Sequence, residues 1–234
     1  MHKIDQQLDL MIRGRFEEAW YLSELLEKES SDDLRHKFNR GWFIINQGNL
    51  QEGFQLLEAG RFLKVYGSPK IKTNKPIWNQ TDTLKDKTVL INLEGGLGDQ
   101  IISARFAKEV YKQGGKTILC GDIELHSLLL RIIGVNKCIT QNEIPSTRHD
   151  YWIPGFSCSW LFGHTFDNLP NEPYINFNIS SVDLWKNIIN SKKYKVGIRW
   201  AGNPKFEHQQ FRIFPPEPLI ELSKYKEIQF YSLQ

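Results

Sequence analysis

The sequence predicts an α/β chain in three parts: helical hairpins, a lobe built on a parallel sheet, and the opening of a second α/β lobe. Three observations carry this. A set of turn glycines and apolar helix positions recurs near the N-terminus. From residue 88 onward, short β-branched runs alternate with helical periodicity. A glycine-rich turn follows the first of these runs, and another glycine turn follows a later one.

The recurrence comes first in the chain. Residues 13–20, Arg-Gly-Arg-Phe-Glu-Glu-Ala-Trp, align with residues 47–54, Gln-Gly-Asn-Leu-Gln-Glu-Gly-Phe, at an offset of 34 residues. Gly14 and Gly48 can each end a helix and turn the chain. Phe16 and Leu50 are expected to pack inside their helix pairs. Ala19 and Gly53, with Gly41, are small enough for two helices to approach closely. Residues 1–66 therefore resemble tetratricopeptide (TPR) hairpins. An independent solenoid normally needs about three repeats, and two are visible, so the unit is expected to lean on the rest of the protein. Its concave face is a candidate surface for a protein partner.

Residues 67–87 read as a linker rich in Gly, Pro, Asn and Asp, with Ile77-Trp78 expected to dock it onto a neighbour. Residues 87–93 form a short apolar strand. A helix is predicted over 100–113, a strand over 116–120, a helix over 125–133, and strands over 137–140 and 150–154. Such alternation implies a parallel sheet covered on both faces. This lobe is assigned to residues 88–194.

The main chemical signal is Glu94-Gly95-Gly96-Leu97-Gly98-Asp99, at the carboxyl end of the first strand. Ligands of parallel sheets bind at that edge, where glycines let a backbone come close and a helix start offers free N–H groups. A dinucleotide site with Asp122 as the ribose acid is the obvious reading, and two features argue against it. Ile101 stands where the third glycine of G-x-G-x-x-G is needed. Asp99 places a carboxylate at the helix start, which would repel a pyrophosphate. Two readings of Asp99 stay open: a helix cap, or an ionised carboxylate that accepts a proton from a neutral hydroxyl.

Later, residues 182–190 read as a helix and 194–200 as a strand, followed by the turn Ala201-Gly202-Asn203-Pro204. A proline-led helix to about Lys224 and a strand over 227–233 complete a β-α-β unit, so residues 195–234 open a second lobe. Arg199, Lys205, His208 and Arg212 near this turn are suited either to phosphate oxygens or to a solvated loop.

Composition narrows the function classes. Lys and Arg total 30 against 27 Asp and Glu, a net charge of +3 that gives no argument for nucleic acid. Cys120, Cys138 and Cys158 form no C-x-x-C pair, so neither a disulfide scaffold nor a structural zinc site is expected, and a reducing, cytoplasmic setting is. Apolar runs stay far below the ~18 residues of a membrane span.

Trp78, the Val89–Asp99 strand and turn, Val196–Pro204, and the closing Phe230-Tyr231-Ser232-Leu233-Gln234 together resemble the bacterial TPR-containing glycosyltransferase-like proteins. These are relatives of the lipopolysaccharide heptosyltransferases, with a two-lobed, Rossmann-like GT-B fold. The resemblance implies inverting transfer of a sugar from a nucleotide-activated donor to a hydroxyl of a glycan or glycoconjugate, without metal or other cofactor. It assigns general-base chemistry to Asp99 in an acceptor-side lobe, with Gly95, Gly96, Gly98 and Gln100 shaping the loop. Gly202, Asn203 and Arg212 would meet the donor diphosphate, Arg212 standing where the family more often has Lys. The family's second lobe is represented only by residues 195–234, so this chain is expected to be an inactive fragment lacking on the order of 100 residues. The alternative is a non-catalytic interaction module, its hairpins binding a protein on an α/β platform. A nucleotide-binding oxidoreductase is the third reading, disfavoured by Ile101 and Asp99.

Overall fold

The computed structural model describes residues 2–66, 71–202, 213–215 and 217–233. The chain divides into two compact units, Met1–Asn176 and Phe177–Gln234. The predicted α/β class holds: a four-stranded parallel sheet follows an N-terminal helical region.

The helical region contains α1 (Lys3–Ile12), α2 (Phe16–Ser30), α3 (Leu34–Asn46), α4 (Leu50–Leu57) and the one-turn α5 (Ala59–Phe62). Its two recurring turns share one geometry. Gly14 has φ +73° and Gly48 has φ +97°, so each helix ends in a left-handed residue. Past Gly14, Arg15 N donates back to Leu10 O at 2.9 Å; past Gly48, Asn49 N donates to Ile44 O at 3.1 Å. At α3 the Asp33 carboxylate accepts from Arg35 N and His36 N, capping the helix start. The helices α3 and α4 cross at Gly41 and Gly53: a Cβ on either would lie 2.9 Å from the other's carbonyl oxygen.

The sheet contains β1 (Thr88–Asn92), β2 (Lys116–Cys120), β3 (Val135–Ile139) and β4 (Tyr151–Pro154), in the order β3-β2-β1-β4. All three pairings are parallel, with Leu90 opposite Ile118 and Trp152, and Ile91 opposite Leu119 and Ile153. Alternation sends β1 side chains to two faces. Val89, Ile91 and Leu93 join Ala104, Phe106, Val110 and Leu129 in the larger core. Leu90 joins Ile118, Cys120 and Ile139 on the other face, covered by Ile71 and Ile144 instead of by a long helix. This order fits a Rossmann-like arrangement, in which the strand order reverses between β1 and β4.

Several predicted elements are redrawn. The helix after β1 starts at Leu97, not at residue 100, and breaks into α6 (Leu97–Ala104) and α7 (Ala107–Lys112). Between them the bonds Arg105 N to Ile102 O and Phe106 N to Ser103 O tighten the chain and place Phe106 in the core. The predicted helix over 125–133 shrinks to a 3₁₀ turn and α8 (His126–Leu129). The linker docks through Ile77-Trp78, as expected: Trp78 is buried, and Ile77 makes a parallel bridge to Trp152 of β4. After β4 come a 3₁₀ turn, Gly155–Ser157, and α9 (Cys158–Leu161).

The second unit contains α10 (Ile179–Ile188), β5 (Tyr194–Ile198), α11 (Glu217–Leu222) and β6 (Ile228–Ser232). Its division begins ahead of α10, whereas the sequence reading opened the second lobe at residue 195. The strands β5 and β6 pair in parallel, with Val196 opposite Phe230. Among the described residues of these four elements none is fully buried.

Candidate functional site

Five residues singled out in the sequence lie together at the carboxyl edge of the first sheet. The buried strand β1 runs into Glu94 and then into a turn that favours glycine. Gly95 has φ +75°, and a Cβ there would meet Asp99 Oδ2 at 2.7 Å. Gly96 is the N-cap of α6. Asp99 is the third residue of the helix and reaches back, its Oδ2 accepting from Gly96 N at 2.9 Å. The sequence left two readings of Asp99 open, a helix cap and a proton acceptor; the earlier start of α6 replaces the cap at the N-cap position by the returning half of a capping box. Its carboxylate remains exposed and lies in the first turn, where the helix dipole favours negative charge. A Cβ on Gly98 would meet nothing within 4 Å, so the backbone there faces open space.

Gln100 is buried and holds two turns together. Its Nε2 donates to Gly95 O at 3.3 Å and to Asp122 Oδ2 at 3.1 Å, and its Oε1 accepts from Asp122 N at 2.9 Å. Gly121 must be small here, since a Cβ would lie 2.7 Å from that same Oε1. Asp122 is thereby engaged within the protein.

A second cluster, absent from the sequence reading, sits where the ends of β1 and β4 part. Glu94 is 6% exposed, and its Oε2 accepts from Phe156 N at 3.1 Å in the turn after β4. Its Oε1 pairs with Arg61, carried by α5 of the helical region. The same guanidinium binds Glu58 Oε2 through Nε at 2.7 Å and Ser157 Oγ through Nη2 at 2.8 Å. The Ser157 hydroxyl donates to Glu58 Oε1, which also accepts from Trp160 Nε1 at 3.2 Å. Tyr66 packs on Phe156 with ring centroids 4.7 Å apart, and Arg61 lies over the Tyr66 ring. Burial pushes the Glu94 carboxyl above the usual carboxylate range, and Arg61 and the Phe156 N–H offset this only in part. Glu94 follows an apolar strand at the ligand edge, a signal that could have found it. Arg61 had none for its contacts with the sheet, because Glu94 and Ser157 lie 33 and 96 residues away and only Glu58 is near in sequence.

Beyond β5, Arg199 Nε donates to Ala201 O at 3.1 Å, next to Gly202. Asn203 and Arg212, with Lys205 and His208, lie outside the described residues. Among the described residues, no three His, Cys, Asp or Glu side chains gather as metal ligands, and no helix is long and apolar enough to cross a membrane. The three cysteines are free. No protein-family model, curated protein or solved structure matches the chain.

Proposed function

We propose that the chain is the acceptor-side part of a glycosyltransferase-like protein of GT-B architecture, preceded by TPR-like hairpins. In this reading Asp99 is the general base for inverting transfer from a nucleotide-activated sugar to a hydroxyl acceptor. The supporting observation is the exposed Asp99 carboxylate over the Gly95-Gly96 turn at the carboxyl edge of β1, beside open backbone at Gly98. A carboxylate in that position can take a proton from a hydroxyl as it attacks. Its bond to Gly96 N aims the carboxyl group without using its second oxygen. Gly95, Gly96, Gly98 and Gln100 shape the loop. Gly202, Asn203 and Arg212 are the proposed contacts of the donor diphosphate, and no metal or other cofactor enters the reading. Asp122, tied to Gln100, is poorly placed to serve a dinucleotide ribose.

The alternative is a non-catalytic interaction module whose TPR-like hairpins bind a protein on an α/β platform. The Arg61–Glu94–Glu58 cluster, which ties the hairpins to that platform, suits either reading, and a protein pull-down that survives changes in both glycine loops would favour the alternative. Turnover is tested on the full-length gene product, by following release of nucleoside diphosphate from nucleotide-sugars. Asp99→Asn is expected to abolish release. Unchanged turnover in that variant removes Asp99 from the chemistry.

A further inference from the structure

A hollow of about 740 Å³ lies between residues 71–75 and 144–149, the segments whose Ile71 and Ile144 cover the Leu90 face of the sheet. It falls in the size range of small-molecule sites. Its position follows from the chain path. His149 precedes β4, and the next residue, Asp150, meets Thr88 at the start of β1, so the hollow opens near the starting ends of the strands. The surroundings are fixed. His149 is 4% exposed; its Nδ1 donates to Thr147 O at 2.7 Å, and its Nε2 lies 2.9 Å from the Thr73 hydroxyl. Thr73 Oγ1 in turn accepts from Lys75 N at 3.1 Å. Ile71 and Ile144 anchor the two segments in the core on that face.

This scaffold gathers charge of one sign. Lys72, Lys75 and Arg148 line the hollow, and among the described residues no Asp or Glu does. The chain as a whole is nearly balanced, 30 basic to 27 acidic, so this segregation is local. Neighbouring acids are engaged elsewhere. The Glu143 carboxylate accepts from Thr140 N and Oγ1, and Asp150 accepts from Thr88 N. Among the described residues these three cations, all exposed, make no ion pair.

We propose that this hollow binds a soluble phosphate-bearing ligand, with a diphosphate group held by Lys72, Lys75 and Arg148. The two ammonium groups supply point charges and the guanidinium a planar fork, a set that matches phosphate oxygens. The site is separate from the Asp99 turn and does not depend on the function assigned there.

Calorimetric titration of the chain with inorganic pyrophosphate at low ionic strength tests it. Pyrophosphate is expected to bind, and the affinity to fall with added salt. Arg148→Ala should weaken binding about tenfold, as loss of a charge-assisted contact does. The triple variant Lys72→Ala/Lys75→Ala/Arg148→Ala should abolish it with an unchanged unfolding midpoint. A charge-matched control, Lys28→Ala/Lys192→Ala/Lys226→Ala, should bind as the wild type does. Equal loss in the control would overturn the proposal, as would the absence of pyrophosphate binding by the wild type. A phosphatidylglycerol vesicle arm separates the sources: association with vesicles but not with pyrophosphate would also overturn it.

Discussion

The two sheets of this protein are written in the same strand–turn–helix grammar and are built very differently. In β1, Val89, Leu90 and Ile91 are each 0% exposed, with a core packed on both faces. In β5 and β6 every described residue keeps some exposure, and Tyr194, Lys195 and Gly197 lie open. A strand's identity is local, but its stability comes from what covers it. The first sheet has four strands, two helices on one face, and a helical region clasped to its edge. The second, among the described residues, has two strands and one short connecting helix.

The comparison breaks most sharply at the clasp. Arg61→Ala strands Glu94 and Glu58 without their cation, and should cost about 3–5 kcal/mol in urea unfolding of the first unit. Replacing both members, Arg61→Met with Glu94→Leu, should recover most of that loss. A small effect of Arg61→Ala would mean that the helices and sheet are held by their other contacts, those of Ser157 and Trp160 with Glu58 and of Gln51 with His164 among them.

Core truncation separates the two sheets next. Ile91→Ala should cost about 2–5 kcal/mol, as deletion of fully buried methyl groups does. Phe230→Ala, its half-exposed counterpart in β6, should cost less than Ile91→Ala and leave the main unfolding transition in place. Equal losses would show that the second unit shares the core of the first.

The smallest effect is pH dependence. Burial raises the Glu94 pKa in the folded state, so the folded protein keeps a proton that the unfolded chain releases. Stability from this group is therefore full below the ordinary carboxylate range and declines as pH rises from there through the raised value. Glu94→Gln should flatten that decline in thermal unfolding followed from acid to neutral pH.

Much of this architecture was legible in single residues. Gly14 and Gly48 marked two helix ends because a left-handed turn leaves little choice of residue. The apolar run 88–92 could be little other than a buried strand. The turn from Gly95 to Gln100 was readable because glycine demand and helix-start chemistry are both local. Its details were less so: whether Asp99 caps the helix or sits one half-turn inside it depends on where α6 begins, and Gly96 carries no side chain to announce an N-cap. The break at Phe106 was hidden because its cause is core packing, not a breaker residue. The clasp was hidden altogether, since Arg61, Glu94 and Ser157 are joined only by the fold. Long-range ion pairs leave no periodicity to find.

Native-state hydrogen exchange tests the central claim most directly, that the hairpins and the first sheet form one cooperative unit which residues 177–234 do not share. The amides of α2, α3, β1, β2 and β4 are expected to lose protection at one common free energy, with β5 and β6 exchanging much faster. Hairpins that open at a lower free energy than β1, or protection of β5 equal to that of β1, would contradict it.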